Sequence, residues 1–147
     1  MSFIRIWVHC VWTTKNRAAF LSNNNKSIII NHIVENAKAK GIFIDSINGD
    51  KEHLHCLISL GPNENISKII QLIKGESSFW INKNNLIKNT FEWGDEYFAV
   101  SVSESSIQAV REYIRNQEEH HKKKTWAKEY EDFILDYNFD KLGAKAH

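Results

Sequence analysis

A chain of 147 residues with 42% hydrophobic residues and a formal net charge of +1 suits a single folded domain, 1–147, and excludes a disordered or strongly polycationic chain. No apolar run approaches the roughly 20 residues of a membrane span and the start shows no signal-peptide h-region, so a cytoplasmic protein with no membrane partner is expected. The charge is uneven, with 11 Lys/Arg against 6 Asp/Glu in residues 1–91 and 8 against 12 in residues 92–147, so a mildly basic body precedes an acidic end.

Phe3 to Thr14 alternates as a half-buried strand. Ile4, Ile6, Val8, Cys10 and Trp12 form an apolar parity, and Arg5, Trp7, His9, Val11 and Thr13 a mixed one. Arg5 and Trp7 suit stacking on unpaired bases, or Trp7 and Val11 pack beneath a helix. Ser22 to Asn25 offers N-cap residues for a helix bearing Ile29, Ile30, Ile33, Val34 and Ala37, with Gly41 at its C-terminal end. A short strand from Ile42 to Ile47 then leads to Asn48-Gly49, read as the turn of a hairpin.

The next strand, within Asp50 to Leu60, puts Leu54, Cys56, Ile58 and Leu60 on one face and His53 and His55 on the other. Histidines two apart on a strand have Cα atoms roughly 6–7 Å apart, so both rings can converge on one ion; two solvated polar-face residues are the alternative. Cys10 and Cys56 share the core parity and read as reduced, buried thiols, with Cys56 pointing away from the histidines.

After Gly61-Pro62, Ile66, Ile69, Ile70, Ile73 and Trp80 mark a second helix, with Lys68, Lys74 and Lys83 among its polar positions. A polar linker over 82–90 precedes a strand whose latter half alternates through Phe98, Val100 and Val102. Ser105 and Gln108 are spaced as a capping box for a third helix carrying Val110, Tyr113, Ile114 and Gln117 and running to about His121. The order spells an α+β, ferredoxin-like (split βαβ) antiparallel sheet with two helices on one face. The third helix then lies on the histidine face, bringing Tyr113 and Gln117, one helical turn apart, near His53 and His55.

A phenol beside a metal-capable histidine pair suits nucleophilic attack on phosphorus. The bland readings are a core-edge aromatic for Tyr113 and a solvated helix residue for Gln117. His120 to Lys124 read either as a solvated helix end or as phosphate contacts. A last helix from about Thr125, with Trp126, Tyr130, Phe133, Ile134 and Tyr137 at helical spacing and acidic outer residues, is expected to pack on the domain or on a second subunit.

His53-Leu54-His55 on a strand, followed by Tyr113-Ile114-Arg115-Asn116-Gln117-Glu118-Glu119-His120-His121, resembles the HUH-type single-tyrosine transposases of small insertion sequences (TnpA-like, of IS200-type elements). Val8-His9-Cys10-Val11-Trp12-Thr13-Thr14-Lys15 and Ser101-Val102-Ser103-Glu104-Ser105 resemble the same family, and the likeness runs from residue 3 to about 135. It implies a strand transferase that cuts single-stranded DNA at element ends recognised through hairpins, leaving a 3′-OH and a 5′-phosphotyrosine. By position Tyr113 is then the nucleophile, and His53, His55 and Gln117 hold a divalent cation, Mg²⁺ or Mn²⁺. It also implies a homodimer with composite sites.

Arg5, Trp7, His9, Lys74, Lys122 and Lys123 are the candidate DNA contacts, with His9 read as a hydrogen-bonded neighbour of the pair rather than a ligand. The alternatives are a non-catalytic single-strand-binding module and a domesticated relative processing chromosomal repeat hairpins.

Overall fold

The computed structural model describes residues 2–117 together with Thr125, Lys128, Glu129 and Asp132. In chain order it builds β1 (Ile6–Thr14), α1 (Asn23–Ala39), β2 (Phe43–Asp50), β3 (His53–Leu60), α2 (Ile66–Lys83), β4 (Trp93–Val102) and α3 (Ile107–Arg115). The strands pair antiparallel in the order β2-β3-β1-β4. This is the α+β, split βαβ arrangement expected, with α1 and α2 on one face of the sheet and α3 on the other. Among the described residues no helix is long and apolar enough to cross a membrane.

Strand alternation explains the two faces. Val8, Cys10 and Trp12 of β1 and Leu54, Cys56 and Ile58 of β3 share one face, where they meet Ile29 and Ile33 of α1 and Ile69, Ile70 and Ile73 of α2. Each such aliphatic side chain contributes roughly 1.5–3 kcal/mol by leaving water. Cys10 and Cys56 lie opposite each other as free, buried thiols. Burial pushes the Cys10 thiol up to about 12 and the Cys56 thiol up as well, so both stay protonated and act as small apolar residues. On the opposite face Trp7 and Leu57 pack against Ile107 and Ile114 of α3. Covered on both sides, β1 is buried over most of its length, its polar parity included. The strand starts later than the alternation suggests, and Phe3, Ile4 and Ile6 remain exposed.

The caps of α1 follow the sequence. Ser22 accepts the Asn25 N–H, and Gly41 takes the left-handed conformation with φ +75° just past the helix end. The hairpin does not. Asn48 and Gly49 lie inside β2, paired with His55 and Leu54, and the turn is Lys51-Glu52. Gly49 is required by close approach instead: a Cβ there would stand 2.0 Å from the His53 carbonyl oxygen. The hairpin is tied down on both sides. Thr14 N–H donates to Glu52 O at 2.8 Å, Leu21 N–H to Lys51 O at 2.9 Å, and the buried Lys26 ammonium to Gly49 O at 3.0 Å. Gly49→Ala is therefore expected to lower the unfolding free energy by about 2–3 kcal/mol, measured by urea denaturation, because the clash is with backbone and cannot relax by a rotamer change.

The capping box also fails to form. A 3₁₀ turn over Glu104–Ser106 precedes α3, whose N-cap Ser106 makes no side-chain cap bond. The Ser103 hydroxyl instead pairs with those of Ser105 and Ser106, and the Glu104 carboxylate accepts from the Trp7 indole at 2.7 Å and from Arg5 at 2.7 Å. Strand β4 begins at Trp93, earlier than its alternation suggested, and its register against β1 shifts between Trp12 and Thr14.

Candidate active site

The tyrosine helix is fixed over the sheet by polar contacts at its middle and at its C-terminal end. Arg111 makes a two-pronged ion pair with Asp45 of β2, with both N···O distances 2.9 Å, and Asn48 donates to the Arg115 carbonyl at 3.0 Å. The guanidinium also lies 5.8 Å from the Trp7 ring centroid. The β2–β3 register shifts between Ile44 and Ser46, so Asp45 sits at an irregularity in its strand. These anchors, with Ile107 and Ile114 in the apolar contact, set where Tyr113 stands.

His53 and His55 are fully buried on the face beneath α3, their ring centroids 5.0 Å apart and their planes at 76°. Each ring is held from behind through Nδ1. Glu52 Oε1 lies 3.0 Å from His53 Nδ1, and His9 Nε2 lies 2.9 Å from His55 Nδ1, with the His9 ring stacked on His55. Both Nε2 atoms face one spot. His53 Nε2 is 3.0 Å from Gln117 Oε1 and 3.6 Å from Glu129 Oε2, and His55 Nε2 is 2.8 Å from Glu129 Oε1. Tyr113 presents its ring edge-on to His55 at 5.4 Å and to His9 at 6.2 Å, and its hydroxyl donates to Glu129 Oε1.

Burial lowers the His9 pKa to about 4, against the opposing pull of Glu129, and that of His55 to about 3, so both rings are neutral at physiological pH. Neutral imidazole is the state that ligates metals. Burial alone would raise the Glu129 carboxyl, but its hydrogen bonds from His55 and Tyr113 and the nearby histidines hold it well below the usual carboxylate range.

The donor chemistry of the cluster fits a cation. Gln117 Nε2 donates to the Tyr113 carbonyl at 3.4 Å, which turns Oε1 toward His53. With a proton on Nδ1 for Glu52, His53 points the lone pair of Nε2 at that amide oxygen. In that tautomer two acceptor atoms stand 3.0 Å apart in a buried site, an arrangement that a metal ion between them would satisfy. Nitrogen and oxygen atoms of His53, His55 and Glu129 all lie within 4.8 Å of one another, as a single ion requires.

The expected meeting of His53, His55, Tyr113 and Gln117 thus occurs within one chain, and His9 is the hydrogen-bonded neighbour anticipated. Trp7 differs from its reading as a stacking surface: it is 9% exposed, packed beneath α3. The covered second face of the sheet is the reason. Arg5 is exposed and paired with Glu104. Lys74 is on α2, across the sheet from the histidines, and its ammonium donates to Gly94 O at 2.5 Å. Lys122, Lys123 and the expected last helix lie outside the described residues, apart from Thr125, Lys128, Glu129 and Asp132.

Glu129 is the site residue that sequence reasoning missed. Its N–H donates to Thr125 O at 3.0 Å, one helical turn back. In the sequence it is one of several acids near the C-terminus and reads as part of a solvated acidic face. No local pattern marks it out.

The fold has solved relatives. A candidate transposase from Deinococcus radiodurans R1 matches with a TM-score of 0.64 and 21% identity, over 79% of this chain and 93% of that one. A REP-associated tyrosine transposase bound to a REP hairpin matches with a TM-score of 0.55 and 16% identity, over 79% of this chain and 68% of that one. At such identities these likenesses establish the fold. Among curated proteins, none matches the chain significantly. The family model described as "Transposase IS200 like" matches residues 2–117, most of the chain, and the protein belongs to that transposase family.

Proposed function

We propose that this transposase cuts and rejoins single-stranded DNA at the hairpin-bearing ends of a mobile element, in the cytoplasm, through a 5′-phosphotyrosine on Tyr113. The observation that carries the reading is the convergence of His53 Nε2 and Gln117 Oε1, at 3.0 Å, with the Tyr113 ring 5.4 Å from His55 in the same cluster. Tyr113 Oη attacks the scissile phosphorus: the Oη–P bond forms and the P–O3′ bond breaks. The phenolic proton passes to solvent, and the departing 3′ oxygen takes up a proton. The tyrosyl ester conserves the energy of the phosphodiester, so a 3′-OH can later reverse the step without a nucleotide cofactor. His53, His55 and Gln117 would hold a divalent cation, which would supply positive charge to the phosphate oxygens when bound. Mg²⁺ and Mn²⁺ are the proposed ions, and the paired imidazoles suit Mn²⁺ better.

Glu52 and His9 fix which imidazole nitrogen faces the ion. For His55 to offer a lone pair at Nε2, its proton must sit on Nδ1 and be accepted by His9 Nε2, which a neutral His9 allows. His9→Phe is accordingly expected to weaken Mn²⁺ affinity about 10–100-fold in isothermal titration. Unchanged affinity would mean that His55 is oriented without it.

The proposed substrate is single-stranded DNA carrying a hairpin. A distant relative that holds a REP hairpin supports that class, and it also keeps chromosomal repeat hairpins in view for this chain. The proposed assembly is a homodimer. Tyr113 stands against His55 of its own chain, so the catalytic group need not come from a second subunit. The alternative of a non-catalytic binding module would use Trp7 and Arg5 as its stacking surface, but Trp7 is packed under α3 and Arg5 is paired with Glu104.

The deciding experiment is incubation with labelled single-stranded DNA from the genomic borders of the gene, with Mn²⁺ or with EDTA. A covalent protein–DNA adduct that depends on the metal is expected. Border strands left intact, with no adduct at any metal concentration, would overturn the reading.

A further inference from the structure

Glu129 reaches the histidine site from a segment 12 residues beyond Gln117, and it has no place in the chemistry above. It is 3% exposed. A carboxylate taken out of water is costly unless its oxygens are matched by donors or by a cation. Here both oxygens are aimed at the site. Oε1 is 2.8 Å from His55 Nε2 and accepts the Tyr113 hydroxyl, while Oε2 is 3.6 Å from His53 Nε2.

The spacing is that of a ligand shell. Metal–ligand bonds of about 2.0–2.2 Å put neighbouring donor atoms roughly 3.0–3.4 Å apart, whether the shell is octahedral or tetrahedral. The separations of 3.0 Å between His53 Nε2 and Gln117 Oε1 and 3.6 Å between His53 Nε2 and Glu129 Oε2 bracket that range, and donor atoms of His53, His55 and Glu129 all lie within 4.8 Å of one another. Charge points the same way. Two imidazoles and an amide are all neutral donors, and a dication held by them alone would sit in a buried pocket with no negative charge among the atoms touching it. One carboxylate halves that excess. It also makes the set two imidazoles, one carboxylate and one amide oxygen, which favours Mn²⁺ or Zn²⁺ over Mg²⁺.

We propose that Glu129 is a further protein ligand of the divalent cation and, through its second oxygen, the positioning residue that aims the Tyr113 hydroxyl at the ion's edge. Ligation through Oε2 leaves Oε1 on the phenol, so binding of the ion and placement of the nucleophile are joined in one side chain. The cation part stands on the donor geometry alone, and the tyrosine part rests on the strand-transfer reading of Tyr113.

The test uses the full chain, without DNA for metal binding and with border DNA for adduct formation. Mn²⁺ is titrated into the wild type, Glu129→Gln, Glu129→Asp and His53→Ala, and free Mn²⁺ is followed by electron paramagnetic resonance, with circular dichroism confirming that each variant is folded. Glu129→Gln keeps shape and removes charge, and its Mn²⁺ affinity is expected to fall at least 10–100-fold. Glu129→Asp keeps the charge on a shorter stem, so affinity falls less while adduct formation on border DNA at saturating Mn²⁺ falls more. Mn²⁺ affinity in Glu129→Gln equal to or above that of the wild type overturns the ligand assignment. Full adduct formation by Glu129→Asp at saturating metal overturns the positioning role.

The outcomes separate this proposal from the broader one. Weakened Mn²⁺ binding in Glu129→Gln with no adduct in any protein keeps the ligand and removes the transposase chemistry. A metal-dependent adduct with unaltered affinity in Glu129→Gln does the reverse.

Discussion

Replacing Tyr113 by Phe is expected to abolish covalent attachment to single-stranded DNA and to reduce strand cleavage by about six orders of magnitude, to background. The substitution removes one oxygen and little else. The ring keeps its edge-on contacts with His55 and His9, at 5.4 and 6.2 Å, so the packing beneath α3 survives. Glu129 loses one hydrogen bond but keeps its contacts with the histidines, at a stability cost of about 1–2 kcal/mol. DNA binding should persist in a mobility-shift assay. A denaturing gel decides the matter: a protein–DNA adduct formed by the Phe variant would remove Tyr113 from the role of nucleophile.

His53→Ala is expected to act nearly as strongly by a different route. The imidazole lies between the Glu52 carboxylate on one side and the Gln117 amide oxygen on the other, both at 3.0 Å. Its removal takes away a proposed metal ligand and leaves a cavity beside the Glu52 and Gln117 oxygens. Loss of measurable Mn²⁺ binding is expected in calorimetry, together with a fall in cleavage of about three orders of magnitude, the scale of removing one preorganised electrostatic contributor. A lower melting temperature should accompany both, because the acceptors left behind are buried. Wild-type protein in EDTA should match the mutant in cleavage but not in stability, which separates loss of the ion from loss of packing. Cleavage by His53→Ala at the wild-type rate would dismiss the ion site.

Much of this architecture was legible because strand alternation and helix periodicity are local. The parity of Leu54, Cys56 and Ile58 against His53 and His55 fixes which face each residue takes, and the backbone follows it. Ser22 and Gly41 mark the ends of α1 because capping is decided by a few neighbouring residues. The misreadings share a cause. Asn48-Gly49 looks like a turn because a glycine needed for close approach to His53 O leaves the same mark as a glycine needed for a left-handed backbone. Ser105 and Gln108 have the spacing of a capping box, but the neighbouring Glu104 is drawn to Trp7 and Arg5, partners about 100 positions away that no local window contains.

The sequence by itself determined the order of elements, the two faces of the sheet, the pairing of His53 with His55 and the helical spacing of Tyr113 and Gln117. Only the tertiary structure decided that α3 lies over the histidines of its own chain, held there by Arg111 on Asp45 and Asn48 on the Arg115 carbonyl. It alone joined His9 to His55 Nδ1 and brought Glu129 to the same cluster. The physical reason is the range of the forces involved. Side-chain direction is set by the backbone within a few residues, whereas a buried polar cluster is set by which distant donors and acceptors must satisfy one another once water is gone.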